Sequence, residues 1–160
     1  MKHLSLKFPA RTTERIVGLG FRCSLACLRS SDAAEARRAC TYLTTALCAD
    51  NLPAELVPQF AAWALAIESS AERPIAVLPI KSASFGRDEC LAISLVAACQ
   101  HQTCPALRAC AFALLGSADL GRALAATATI AATLRGSDAL LASSKSEAAA
   151  ALIPLAPRLH

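Results

Sequence analysis

The residues best equipped for chemistry lie close together in the chain: Cys99-x-His101-x2-Cys104-x5-Cys110, with Cys90 upstream of the first. Thiolates and an imidazole are the ligands that zinc, copper or an iron–sulfur cluster select. The spacing follows no standard signature, having neither Cys-x2-Cys pairs nor a ferredoxin run. On one helix Cys90 and Cys99 stand about 180° apart around the axis, so they cannot both serve one ion. The competing reading treats free cysteine as a small hydrophobe, at home in an alanine-rich core. That reading is preferred here. A metal site at Cys99, His101, Cys104 and Cys110 is kept as the alternative.

Two further thiol arrangements are less specific. Cys104 falls at a predicted helix start, where the dipole and Arg108 one turn along favour a thiolate; only His101 offers a nearby base. Cys23-x3-Cys27 shares one helical face and resembles the cysteine pairs inside copper-storing helical bundles, a chemistry that needs many converging thiols. The last feature is electrostatic. Arg15, Arg22 and Arg29 repeat every seven residues, with Arg11 leading and Arg37 and Arg38 following. Such a stripe is either a solvated face or a docking surface for an acidic partner.

The elements that position these residues read as helices. Alanine dominates the 55% hydrophobic fraction and aromatics are only 4%, which favours closely packed helices over sheet. Asp88 and Glu89 suit the first turn of a helix over 88–100 that is apolar on nearly all sides. Gln100-His101-Gln102 ends it, Thr103 or Cys104 caps the next helix over 105–115, Pro105 sits in its first turn, and Gly116 stops it. This helical hairpin is the feature around which the chain is organised.

Earlier helices are predicted at about 14–29, 33–48 and 54–69. Gly18 and Gly20 either weaken the first or permit a close crossing. Asp32 with Glu35 has capping-box spacing, and Ala36, Cys40, Leu43 and Leu47 are placed inward on the second. Leu56, Phe60, Trp63 and Ile67 are placed inward on the third. Pro74 and Pro79 forbid a helix over 73–81, which is read as an extended crossover. A sixth helix over 118–135 ends at Gly136. Residues 1–11 form a short arm and 137–160 a mobile Ser/Ala/Pro-rich tail. The expected fold is therefore an all-α bundle of five or six helices in one domain over 1–136.

Several functions are disfavoured. The apolar runs fall short of the ~20 residues that span a bilayer, and the N-terminus lacks the apolar core of a signal peptide. Eight cysteines without such a signal point to a reduced, cytoplasmic setting rather than a disulfide framework. The net charge is +4, all of it carried by residues 1–50, which hold eight Lys/Arg against four Asp/Glu. Nucleic acid as a partner is disfavoured, because the helix after Gly116 has only Arg122 and Arg135 as basic residues. No Gly-rich phosphate loop, Gly-x-Ser-x-Gly or His-Glu-x-x-His is present, and no cofactor is expected.

Gly20-Phe21-Arg22-Cys23, the Arg73-Pro74-Ile75 turn and Arg87-Asp88-Glu89-Cys90-Leu91-Ala92 together resemble small hypothetical proteins of nitrogen-fixing alphaproteobacteria. The resemblance runs in patches over about 18–116 and implies a bacterial, intracellular origin. It carries no activity or site residue. The functional expectation is a non-enzymatic interaction or regulatory protein that docks another protein, or a second copy of itself, through Arg11, Arg15, Arg22 and Arg29. A mean hydropathy of +0.45 supports a covered apolar patch. The alternative is metal or redox handling by the cysteines.

Overall fold

The structure, a computed structural model, describes residues 12–142. The arm at 1–11 and the tail beyond 142 therefore lie outside the described residues. Six helices follow in order: α1 (Thr12–Arg29), α2 (Ala33–Ala49), α3 (Leu56–Ser70), α4 (Arg87–Gln100), α5 (Cys104–Leu115) and α6 (Gly121–Gly136). The fold is an all-α bundle. α1 packs on α2, α3 and α4, while α6 packs on α3 and α4 and α5 packs on α4.

α4 is the central helix because its sequence leaves it no polar face. Leu91 through Ala98 are all buried, walled by α1, α5 and α6. A three-residue connection turns the chain into α5, which ends at Gly116 with φ +69°, the left-handed conformation glycine adopts without strain. Gly116 N–H reaches back to the Phe112 carbonyl at 2.8 Å and closes that end.

The core is built where α1, α3 and α6 meet on Trp63. Its ring lies 5.0 Å from Phe21 and 6.2 Å from Phe60, centroid to centroid, spacings at which tilted aromatic pairs attract. The buried indole N–H donates to the Thr127 hydroxyl at 2.9 Å, and that hydroxyl donates to the Ala123 carbonyl at 2.7 Å. The two α1 glycines permit close crossings. A Cβ on Gly20 would lie 2.6 Å from the Phe60 ring, and one on Gly18 would lie 2.3 Å from Phe85.

The crossover between α3 and α4 forms no helix, as its prolines require. An extended segment must still satisfy its backbone carbonyls, and here arginines do so. Arg22 reaches the carbonyls of Pro79, Ile80, Ser82 and Ser84, Arg29 reaches Ile75, and Arg73 is held by the Asp88 carboxylate at 2.8 and 2.7 Å. Asp88 also accepts from the Ala76 N–H.

Several local expectations are corrected. Asp32 caps α2 by accepting from Ala34 N–H, but Glu35 bonds to the Ser30 hydroxyl instead of closing a capping box. On α2 the buried residues are Ala39, Leu43 and Leu47, whereas Cys40 is exposed. The Thr103 hydroxyl turns back to the Ala98 carbonyl and does not cap α5. Residues 117–120 form a turn before α6, Gly136 is the last helical residue, and Asp138 takes the positive φ beyond it. The tail is anchored over its described part. Ala139 and Leu141 are buried, and the Gln100 amide bonds the Ala139 carbonyl and the Leu141 N–H at 3.0 and 2.9 Å.

Candidate functional site

The proposed metal ligands are dispersed. Cys99 is half-buried on the last turn of α4, and burial pushes its thiol up against the opposing pull of Arg135. Cys104 is exposed at the start of α5, close enough to Cys99 for their charges to interact. Cys110 is wholly buried inside α5, where burial alone pushes its thiol up. Cys110 is six positions beyond Cys104, which rotates the two about 120° apart on the helix. His101 is exposed, with Nε2 2.7 Å from the Leu141 carbonyl. Among the described residues no three His, Cys, Asp or Glu side chains are grouped to hold a metal ion. The four-residue site is not formed.

The arginine stripe is also reorganised. Arg11 lies outside the described residues. Arg15 pairs with Asp50 at 3.1 Å, and Arg29 pairs with both oxygens of Glu68 at 3.0 and 2.8 Å. Arg22 is a correction to the surface reading: it is 2% exposed, and Nε and Nη2 meet Glu89 at 2.5 and 3.1 Å. Its guanidinium also faces the Phe85 ring at 5.2 Å. No partner can touch it without opening the core, so it is removed from any docking stripe.

Asp88 and Glu89 do more than place favourable charge on a first turn. Both are buried, at 3% and 0% exposure, and each receives a bidentate arginine. A carboxylate taken out of water without such a partner costs several kcal/mol, roughly speaking. The signal was present in the sequence. A helix apolar on all sides that begins with two acids must bring cations to meet them. Glu89 also accepts from Gly86 N–H at 2.7 Å, which fixes the α4 entry.

The structure offers a different exposed surface. α2 leans on α1 through Ala39, Leu43 and Leu47 and barely touches α3. Its outward side is an open hollow lined by Ala34, Arg37, Arg38, Thr41, Tyr42 and Thr45. Tyr42 is 46% exposed. Neither Arg37 nor Arg38 belongs to any of the ion pairs among the described residues. Two unpaired guanidinium groups therefore flank an exposed aromatic ring over an otherwise small-residue floor. One thiol is set against the same helix: Cys27 on α1 donates to the Ala36 carbonyl at 3.1 Å.

Among the described residues no helix is long and apolar enough to cross a membrane. Comparison of the chain with protein-family models, with curated proteins and with solved structures finds no match.

Proposed function

We propose that this chain is a non-enzymatic docking protein, and that the outward face of α2 receives another protein presenting carboxylates around an apolar side chain. The observation that carries this reading is the pair Arg37 and Arg38, both exposed and without an ion pair among the described residues, beside Tyr42 on a helix that packs mainly on α1. By contrast, Arg22, Arg29 and Arg73 each have a carboxylate and a backbone carbonyl. Arginine and tyrosine are the residues that anchor protein interfaces, through planar charged hydrogen bonds and a large rigid contact area. Arg15 is exposed despite its bond to Asp50 and adds to the positive field that would steer such a partner.

A photo-crosslinking residue at position 42 in the native host tests this. One discrete protein adduct is expected there, lost in Arg37→Glu/Arg38→Glu and weakened as salt rises. The same probe at Ala128, an exposed position on α6, is expected to give none. Equal adducts at both positions, or none at position 42, overturn the proposal. An adduct of twice the chain mass identifies the partner as a second copy.

A further inference from the structure

We infer that Cys27 and Cys40 form a reversible disulfide that staples α2 to α1, made by exchange with a small-molecule disulfide of the glutathione class. The geometry is specific. The Cys27 thiol donates to the Ala36 carbonyl at 3.1 Å, and Cys40 stands one helical turn beyond Ala36 on the same helix, near enough to act on the Cys27 thiol. It therefore lies over the single turn of α2 that runs from Ala36 to Cys40. A helical Cα–Cβ bond tilts toward the helix N-terminus, so the Cys40 side chain leans back over that turn. The two thiols thus address one patch of α2 from opposite helices. A disulfide between them requires the Cβ atoms to come within about 3.5–4.5 Å.

Access sets the order of events. Cys40 is exposed and Cys27 half-buried. The Cys40 thiolate attacks the small-molecule disulfide, one thiolate leaves, and a mixed disulfide remains on Cys40. Cys27 then gives its proton to solvent and attacks the Cys40 sulfur, expelling the second thiolate. Two protein thiols are oxidised and one small disulfide is reduced to two thiols. Cys27 suits the second step, because burial pushes its thiol up and makes it a poor first attacker. Cys23, the other thiol of that face, is 1% exposed, with its thiol pushed up to about 12 mainly by burial. It is excluded from the exchange by access and by ionisation alike.

The bridge would close the α1–α2 turn covalently and fix the helix that carries the open hollow. The full chain, equilibrated with oxidised and reduced glutathione, alkylated and digested, reports the pairing by mass spectrometry. A Cys27–Cys40 crosslinked peptide is expected as the first protein disulfide, with the intact mass lower by two hydrogens. C40S is expected to abolish it, and C27S to stop at glutathione-bound Cys40. Circular dichroism checks the fold of each variant, and the wild-type peptide map decides the matter without them. A first disulfide between any other pair, a persistent glutathione adduct on wild-type Cys40, or both thiols still reduced in fully oxidised glutathione overturns the inference.

Discussion

Arg22 of α1 and Glu89 of α4 form a bidentate ion pair at 2.5 and 3.1 Å in the interior, exposed by only 2% and 0%. The pair joins two helices, and the other guanidinium donors tie the crossover carbonyls to the same point. This single contact therefore organises α1, α4 and the segment between α3 and α4.

Removing one charge from the pair leaves the other buried and uncompensated. Glu89→Gln is expected to cost ~3–5 kcal/mol in urea unfolding. Arg22→Met/Glu89→Met is expected to recover only part of that loss. A hydrophobic replacement can match a buried ion pair, but here the carbonyls of Pro79, Ile80, Ser82 and Ser84 also lose their donor. Full recovery in the double variant would show that the crossover contacts contribute nothing.

Two glycines should respond with opposite sign. Gly20→Ala places a methyl 2.6 Å from the Phe60 ring, and Phe60 is buried beside Trp63, so overpacking of about 1–3 kcal/mol outweighs the gain in helix propensity. Gly136→Ala meets nothing within 4 Å and should stabilise by a few tenths of a kcal/mol, up to ~1. Thermal unfolding of the two variants reads the contrast directly.

The indole N–H of Trp63 depends on one hydroxyl. Thr127→Val keeps the side-chain shape but leaves that buried donor unsatisfied, at a cost of ~1–3 kcal/mol. Trp63 is the only tryptophan in the chain, so its emission reports the change without ambiguity. An unchanged spectrum and unchanged stability would mean the bond contributes nothing net.

Alkaline pH should unfold the protein partly through Cys23. Its thiol rises from 9.0 to about 12 in the fold, first because of burial and then because of Cys27. A raised folded value means full stability below pH 9.0 and progressive loss as the pH climbs toward about 12, since the unfolded chain ionises first. Cys23→Ala is expected to flatten the decline of urea midpoint over that range. Parallel wild-type and variant curves would remove Cys23 as the cause.

Much of the fold was legible in the sequence because local chemistry decides local structure. Pro74 and Pro79 forbid a helix whatever surrounds them, Gly116 accepts a left-handed turn, and an apolar stretch from Leu91 to Ala98 has to be buried. The α4–α5 hairpin and the six-helix order followed from that punctuation. The close crossings at Gly18 and Gly20 were one of two open readings, and the Phe85 and Phe60 rings settled it.

What only the tertiary structure decided is which part of each face another element covers. Arg15, Arg22 and Arg29 lie at seven-residue spacing on one side of α1, so the sequence presents them as equivalent. α4 and the crossover close over the middle of that side and leave its ends open, which makes Arg22 a buried strut and Arg15 a surface charge. On α2 the apolar stripe is broad and packs mainly on α1, and that placement buries Ala39 and leaves Cys40 exposed. The cysteines show the same limit. Spacing along the chain grouped Cys99, His101, Cys104 and Cys110, whereas packing set Cys27 against the turn that carries Cys40. Helical periodicity fixes the direction of a side chain about its own axis, and only the placement of the neighbouring helices fixes what that direction meets.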